Sequence, residues 1–182
     1  NIKIDSKGVW LTASEMAFCR AEGALAGWSN MGGTAKSLYE EGVKLSFEQW
    51  GAGDATTYLA NNTLTEANYV DPISDYGGNV NAVSDITIKW DDSATDEKKM
   101  ERLITQKWIA MFPNGQEGWS EIRRTGYPKV FPLAQSTDYS IQVANRIPFD
   151  IDEATNNKAN YIKAVQLLKG NDDYATKMWW QR

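Results

Sequence analysis

The stretch DEKKMERLITQKWIAMFPNGQEGWSEIRR, residues 96–124, contains the strongest helix signal in the chain. Apolar residues recur there at three- and four-residue spacing, which is typical of a helix with one buried stripe. The stripe predicts burial of Met100, Leu103, Ile104, Trp108 and Met111. The polar residues that fall largely outside it are Lys98, Glu101, Arg102, Thr105 and Gln106. We therefore expect a core helix, with Ser93 as its cap and Pro113 as its end.

A second, shorter helix is predicted for residues 118–124. We expect Trp119 on its inner side to be buried in the core, as Trp108 is on the preceding helix. Arg123 and Arg124 lie at the end of this helix, where arginine side chains pair with nearby acids and terminal carbonyl groups. The same two residues are also candidates to clamp a hydroxyl or carboxylate of a ligand.

The sequence predicts two helices joined by a short loop, over residues 12–26 and 34–50. Because the loop is short, we expect the helices to form an antiparallel hairpin. Thr12 and Glu15 have the spacing of a capping box, and Thr34 caps the second helix. The side chains on the inner face of the first helix are small, and we expect Cys19 to be buried as a small apolar group. The small and aromatic residues resembling a tetratricopeptide repeat are Gly23, Ala35, Tyr39 and Gly42.

This repeat pattern is degenerate, because its leading Trp and terminal Pro are missing and no second copy follows. One such helix pair cannot bury its own apolar face, and about three are needed for a stable stack. We therefore expect a mainly α fold in which the hairpin leans on further helices or on a part of the protein outside this sequence.

Composition narrows the classes of function. The 24 acidic and 19 basic residues give a net charge of −5, and no basic patch indicates a nucleic-acid partner. The chain has no histidine and one cysteine, so neither a Ser-His-Asp nor a Cys-His arrangement can be assembled, nor a zinc site built on histidine. No phosphate-binding loop is present. We predict no catalytic residue, no metal ligand and no cofactor.

Carboxylates are the remaining candidates for catalysis, since a glycosidase needs two of them roughly 5 to 10 Å apart. The candidate groups are Asp91 with Asp92, Asp150 with Asp152 and Glu153, and Asp172 with Asp173. Asp150 and Asp152 are also candidates for a calcium site, although a complete EF-hand spacing is absent. Acidic pairs in loops are usually solvated or act as helix caps, which is the interpretation we favour.

Residues 51–92 are rich in turn signals and predict short helices and long loops. Their aromatic side chains either pack the loops against the core or form a ligand platform, because binding residues concentrate on loops. If this portion binds sugar, the expected aromatic residues are Trp50, Tyr58, Tyr69 and Tyr76. The expected hydrogen-bonding residues are Asn61, Asn62, Asp75 and Asn79.

The tail contains Arg146 and Pro148, then acidic residues, Asn156-Asn157, a helix over residues 158–169, a Gly-Asn-Asp turn and Trp179-Trp180. Together with the central helix and the Trp-x-x-Ile-Arg-Arg-x-Gly segment that follows it, this order resembles the C-terminal end of the SusD/RagB family. Ile147-Pro148-Phe149 stands where a basic residue and Tyr often precede the Pro, which indicates a divergent branch. We expect the two final tryptophans to anchor the C-terminus on the core.

The resemblance implies a C-terminal portion of one SusD-like domain, with a last tetratricopeptide-like helix pair in residues 10–50. Residues 51–92 would then be a loop-rich segment and residues 93–182 the C-terminal helices and loops. It further implies non-catalytic binding of oligosaccharide or another nutrient and delivery to a SusC-like TonB-dependent transporter. The place would be the outer-membrane surface of a Bacteroidota cell, with a lipid anchor on a missing N-terminal part of the protein. The alternatives are a carboxylate glycoside hydrolase and a protein-binding helical scaffold.

Overall fold

The structure is a computed structural model that describes residues 9–73, 78–131 and 143–181. Within these residues the chain forms seven helices: α1 (Ala13–Leu25), α2 (Ala35–Trp50), α3 (Thr56–Leu59), α4 (Asp96–Ala110), α5 (Gly115–Thr125), α6 (Ile151–Asn156) and α7 (Lys158–Leu168). The extended backbone in the same residues pairs at an isolated antiparallel bridge between Tyr69 and Val80. The predicted mainly α class is confirmed.

Two compact units make up the chain. The first unit comprises Asn1–Glu66 and Ser84–Gly118, and the second comprises Ala67–Val83 and Trp119–Arg182. The division falls within α5, so helices α1 to α4 belong to the first unit and α6 and α7 to the second.

Helices α1 and α2 form the predicted hairpin, and their ends follow from local chemistry. The Thr12 side chain accepts a hydrogen bond from the Glu15 amide, and the Thr34 side chain accepts one from the Ser37 amide. Gly27 lies just beyond the end of α1 with φ at 80°, and Gly51 ends α2 with φ at 63°. Both are in the left-handed region, where glycine carries no steric cost.

The two helices approach closely at Gly42 of α2, where the Phe18 ring of α1 packs against the backbone. A Cβ atom at Gly42 would lie 2.8 Å from two carbons of that ring, so only glycine fits there. The Ser14 hydroxyl strengthens the contact by donating a hydrogen bond to the Gly42 carbonyl oxygen at 2.9 Å. The small residues read from the sequence thus set the distance between the helices.

Tyr39 lies at the centre of the first unit and is fully buried. Its ring contacts Phe18 with a centroid distance of 6.2 Å and Trp90 with one of 5.2 Å. Its hydroxyl donates to the Ile88 carbonyl oxygen at 2.5 Å, and burial raises the pKa of this phenol strongly. The residue therefore joins the hairpin to the loop that leads into α4.

Helix α4 packs against both α1 and α2, and Leu103 and Ile104 are fully buried, as predicted. The prediction that Glu101, Arg102 and Gln106 lie outside is wrong, since all three are buried. The loop before α4 explains this: Glu101 accepts a hydrogen bond from the Ser84 hydroxyl at 2.6 Å. Arg102 donates to the Thr87 carbonyl oxygen at 2.8 Å, so polar side chains satisfy a loop that runs over the helix.

Trp108 was expected in the core, but it is 42% exposed. It lies two turns beyond Glu101, on nearly the same side of α4. Loop residues cover that side at Glu101, whereas Trp108 and Ile109 in the last turn remain exposed. The predicted apolar stripe is confirmed at Leu103, Ile104 and Met111, whereas Met100 is half-buried and Trp108 is exposed.

Three smaller predictions also need correction. Thr95, not Ser93, caps α4 and accepts from the Lys98 amide at 3.3 Å. Helix α5 starts at Gly115, three residues before the predicted start. Cys19 is exposed rather than buried, because it lies on the outer side of α1.

In the second unit, a stack of three side chains holds the C-terminal segment. The Arg123 guanidinium carbon lies 4.0 Å from the ring centroid of Trp119 and 4.5 Å from that of Trp180. Trp119, half-buried rather than fully buried, donates its indole N–H to the Ala144 carbonyl oxygen at 2.7 Å. Arg124 pairs with Glu121 at 2.7 Å, so both arginines have structural partners.

Only one of the two terminal tryptophans acts as an anchor. Trp180 contacts Arg123 and is 37% exposed, whereas Trp179 is 92% exposed. The prediction that both indoles pin the C-terminus to the core is therefore wrong for Trp179. The sequence pattern does not distinguish two adjacent identical residues that point in different directions.

Helix α7 was predicted, and it ends at Leu168 with Lys169 in the left-handed conformation. The short α6 before it was not predicted; Asp150 caps it by accepting from the Asp152 amide. The loop after α7 is tied back by a buried ion pair, in which Arg146 donates to Asp172 at 2.5 Å. The backbone N–H of Phe149 donates to the same carboxylate at 3.1 Å.

Replacing Gly42 by Ala should destabilise the protein by about 1 to 3 kcal/mol, because the new methyl group overpacks the contact with Phe18. Gly115→Ala is the matched control, since a Cβ atom there would meet nothing within 4 Å. Urea unfolding measures both variants. Equal stability of the two variants would mean that α1 and α2 do not depend on this close approach.

Replacing Asp172 by Asn should destabilise the protein at neutral pH by about 3 kcal/mol, because Arg146 would lose its buried partner. Burial by itself would raise the pKa of Asp172, but the bonds from Arg146, Phe149 and Tyr161 outweigh it and hold the pKa below its ordinary value. The stabilisation should therefore be complete above the unfolded-state pKa of about 3.9 and lost as the pH falls through the lower folded-state value. Unfolding midpoints of the two proteins that stayed equally far apart at low pH would contradict this.

Candidate functional site

The eight predicted site residues do not come together in one cluster within the part of the chain that the structure describes. Trp50, Tyr58, Asn61 and Asn62 belong to the first unit, and Tyr69 and Asn79 belong to the second. Asp75 and Tyr76 lie outside the described residues. Each group has to be judged by its own contacts.

Tyr58 and Asn61 are occupied by local packing. The Tyr58 ring packs on Phe47 with a centroid distance of 5.2 Å, and its hydroxyl donates to the Gln106 side chain at 3.0 Å. The Asn61 side-chain oxygen accepts from the amides of Thr63 and Leu64 and so shapes a turn. These side chains position the loop that follows α3.

Tyr69 and Asn79 meet at the antiparallel bridge of the second unit. The backbone of Tyr69 pairs with Val80, and its half-exposed ring lies 6.1 Å from that of Phe131. The Asn79 side-chain oxygen accepts from the Asp71 amide at 3.2 Å. Asn62 in the first unit is exposed. A ligand role for these three residues stays a prediction.

Trp50 is the predicted residue whose surroundings resemble a binding surface. It is the last residue of α2, and it is 52% exposed. The Phe112 ring lies beside it, with a centroid distance of 6.2 Å and an interplanar angle of 53°. Phe112 is itself 70% exposed and follows the end of α4. Two large aromatic rings from different helix ends thus meet at the surface.

Trp108 extends this group into what we call the aromatic cluster, consisting of Trp50, Trp108 and Phe112. Trp108 and Phe112 line a depression of about 430 Å³, together with Ile109, Pro113, Asn114, Gly115 and Gly118. The Trp108 indole packs over Gly118, where a Cβ atom would lie 2.9 Å from its nitrogen. Glycine therefore lets the nitrogen-bearing edge of the indole approach α5 closely.

Sequence reasoning identified Trp50 and missed the other two members of the aromatic cluster. Trp108 was assigned to the core because it continues the apolar stripe of α4. Phe112 received no role, although its place between a helix end and Pro113 is the same kind of signal that singled out Trp50. The cluster presents apolar faces with few polar groups, a lining suited to an apolar ligand face.

The candidate carboxylates for hydrolysis are engaged in structural bonds. Asp91 accepts from the Ser93 hydroxyl at 2.6 Å, and this bond lowers the pKa of its carboxyl group. Asp92 pairs with Lys36 at 3.2 Å and accepts from the Trp90 indole at 3.0 Å. A general acid needs the opposite effect, a raised pKa.

The acids of the second unit follow the same pattern. Hydrogen bonds from the Thr176 amide and hydroxyl lower the pKa of Asp173, while Arg146 pairs with Asp172. Asp150, a candidate calcium ligand, caps α6 by accepting from the Asp152 amide. In the part of the chain that the structure describes, no three acidic, cysteine or histidine side chains come together as a metal site. None of the helices described combines the length and the apolar character needed to cross a bilayer.

Solved structures of similar proteins match nearly the whole chain. A chitin-binding SusD homologue from Flavobacterium johnsoniae is 47% identical, with a TM-score of 0.83 over 94% of this chain and 36% of the homologue. A SusD-like protein from Bacteroides thetaiotaomicron is 48% identical, with a TM-score of 0.83 over 93% of this chain and 36% of that protein. A SusD homologue from Bacteroides uniformis is 42% identical, with a TM-score of 0.88 over 100% and 38%.

The chain therefore spans less than half the length of these structural relatives. Among curated proteins, none is significantly similar to it. The model of the SusD-like family, described as Susd and RagB outer membrane lipoprotein, matches residues 1–181. With this match over almost its full length, the chain belongs to the SusD-like family.

Proposed function

We propose that this chain is part of a non-catalytic protein that binds oligosaccharide at the surface of a bacterial cell. In this proposal the aromatic cluster of the first unit contacts the sugar, and the bound oligosaccharide passes to a TonB-dependent transporter of the SusC type. The family description as an outer-membrane lipoprotein supports the location. The chitin-binding homologue, 47% identical to this chain, supports carbohydrate as the ligand class.

The observation that carries the proposal is the exposure of Trp50, Trp108 and Phe112 together. These rings are 52%, 42% and 70% exposed, although each would be worth more than 1 kcal/mol if it were buried. A pyranose ring has apolar C–H faces edged by hydroxyl groups, so a flat indole or phenyl face complements it. Aromatic side chains of this kind are also the residues that dominate binding energy at interfaces.

The geometry of the cluster suits a ring rather than a long apolar chain. The ring planes of Trp50 and Phe112 are inclined to each other by 53°. The two rings therefore form an open, angled surface rather than a closed slot. The depression beside them has a volume of about 430 Å³, which lies within the range of small-molecule sites. Asn114 at its edge supplies an amide beside the apolar wall.

Replacing Trp50 or Phe112 by Ala in the full-length protein should weaken glycan binding by about tenfold, the usual cost of removing an aromatic anchor. Isothermal titration with chitin oligosaccharides, followed by a panel of other neutral glycans, measures the affinity. Trp28→Ala is the matched control, because Trp28 is an exposed indole of the same unit that lies outside the aromatic cluster.

Three results would contradict the proposal. Affinity that stays within twofold for both variants while the fold is intact would place the binding surface elsewhere. Release of shorter products from any bound glycan would favour the hydrolase alternative. Tight binding to the transporter with no glycan binding would favour a protein-binding scaffold.

A further inference from the structure

The depression beside the aromatic cluster has an almost entirely apolar wall, to which Trp108, Ile109, Phe112 and Pro113 contribute. Two side chains of the lining also carry polar atoms, namely the indole of Trp108 and the amide of Asn114. Where a lining has so few polar atoms, those atoms decide which group of a ligand is hydrogen-bonded there.

The Asn114 side chain has its oxygen turned to the backbone of α5. The Oδ1 atom accepts a hydrogen bond from the Glu117 amide, in the first turn of that helix, at 3.2 Å. This bond fixes the orientation of the amide group, whose other arm is the donor Nδ2. In the part of the chain that the structure describes, Nδ2 donates to no protein acceptor. The group that Asn114 leaves for a ligand is therefore a donor.

The Trp108 indole contributes a second donor. Its Nε1 atom lies 2.9 Å from the position that a Cβ atom would take on Gly118, and both residues line the depression. An indole N–H group can only donate, and within residues 9–73, 78–131 and 143–181 this one has no acceptor. Because Gly118 has no side chain, no methyl or larger group of that residue covers this edge of the ring.

Three backbone carbonyl oxygens of the same turn are already used as acceptors. The Met111 oxygen accepts from the Asn114 amide at 2.7 Å, and the Pro113 oxygen accepts from the Gly115 amide at 2.9 Å. The Asn114 oxygen accepts from the Gly118 amide at 3.1 Å. The lining therefore combines apolar surface with side-chain donors.

Sugar substituents differ in how well they suit such a lining. A hydroxyl group can accept from the two donors, but its own hydrogen then finds no acceptor side chain in the wall and depends on water. An acetyl group has a carbonyl oxygen that only accepts, and a methyl group that gains by burial against Ile109 and Pro113. The acetyl group thus matches both parts of the lining, whereas a hydroxyl group matches one.

We propose that the aromatic cluster selects sugars that carry an acetyl group, as an N-acetyl or an O-acetyl substituent. The sugar ring stacks on the aromatic faces of Trp50 and Phe112, and the acetyl carbonyl oxygen accepts from the donors at Trp108 and Asn114. The inference rests on the proposed function, because it assigns a preference to the same surface. N-acetyl and O-acetyl sugars present the same carbonyl and methyl groups, so the test includes both.

Two matched pairs of oligosaccharides test the preference, by isothermal titration of the full-length protein. Chitotetraose and cellotetraose have the same linkage and ring configuration, and they differ at the second carbon, where an acetamido group replaces a hydroxyl. Acetylated xylo-oligosaccharides and the same material after mild alkaline deacetylation differ in their O-acetyl groups alone. We expect at least one acetylated sugar to bind about tenfold more tightly than its unacetylated partner.

Two conservative substitutions remove the donors and keep the rest of the lining. Trp108→Phe keeps an aromatic ring without the N–H group, and Asn114→Asp keeps an oxygen for the Glu117 amide while it removes the amide donor. The double variant should bind both members of each pair with affinities within about threefold of each other.

The matched control makes the same two changes outside the aromatic cluster. Trp28 and Asn30 are exposed residues of the first unit, and Trp28→Phe with Asn30→Asp should leave the preference for acetylated sugars unchanged. Circular dichroism and thermal unfolding establish that each variant is folded.

The outcomes separate this inference from the proposed function. A preference for acetylated sugars that the double variant loses and the control keeps would support the inference. Equal affinity for both members of each pair, with binding lost in Trp50→Ala, would overturn the inference and leave the proposed function standing. A preference that persists in the double variant, or that the control reduces as much, would also overturn the inference. Binding of none of the four sugars would overturn the inference, and binding of no glycan of the wider panel would contradict the proposed function as well.

Discussion

The first unit depends on the contact between the Phe18 ring and the bare backbone of Gly42. This contact brings α1 and α2 close enough for Tyr39 to be buried between Phe18 and Trp90, with its hydroxyl on the Ile88 carbonyl oxygen. That bond fixes the loop that precedes α4. Because this half-buried loop must satisfy its backbone and hydroxyl groups where it lies on α4, the residues of α4 that face it are charged rather than apolar. One missing side chain on α2 thus influences which residues are buried on α4, a helix that is distant only in the sequence.

The same arrangement leaves one side of the last turn of α4 uncovered, while Lys107, Ala110 and Met111 are buried. Loop residues reach Glu101 and Arg102, and the helix continues for two more turns before it stops at Ala110. Trp108, Ile109 and Phe112 therefore remain exposed beside Trp50, which ends α2. The aromatic cluster that we propose as a sugar surface is a consequence of two helices ending near each other. Rigid helix ends hold its rings with little loss of entropy on binding.

The sequence was sufficient where the causes are local. Thr12, Thr34 and Gly51 set the helix ends within one or two residues, since capping and left-handed turns depend on neighbouring atoms only. It was insufficient where burial depends on residues that are distant in the sequence, as at Trp108 and Cys19. Periodicity predicts which face of a helix is apolar, but not which part of the chain covers that face. Of the candidate site, Trp50 was predicted, while Phe112 was missed and Trp108 was assigned to the core. Tyr58 and Asn61 have the side chains expected of a sugar-binding site. They instead make ring contacts and hydrogen bonds within the protein, which no sequence pattern reveals.

Trp50 of the first unit is displayed at the end of α2, beside the Phe112 ring. Trp50 lies among apolar neighbours, where a neutral ring loses few hydrogen bonds to water on contact. Stacking on an aromatic ring gives little selectivity between sugars, because every pyranose has an apolar face. Under the proposed function, discrimination between sugars would therefore come from the polar groups around the aromatic cluster.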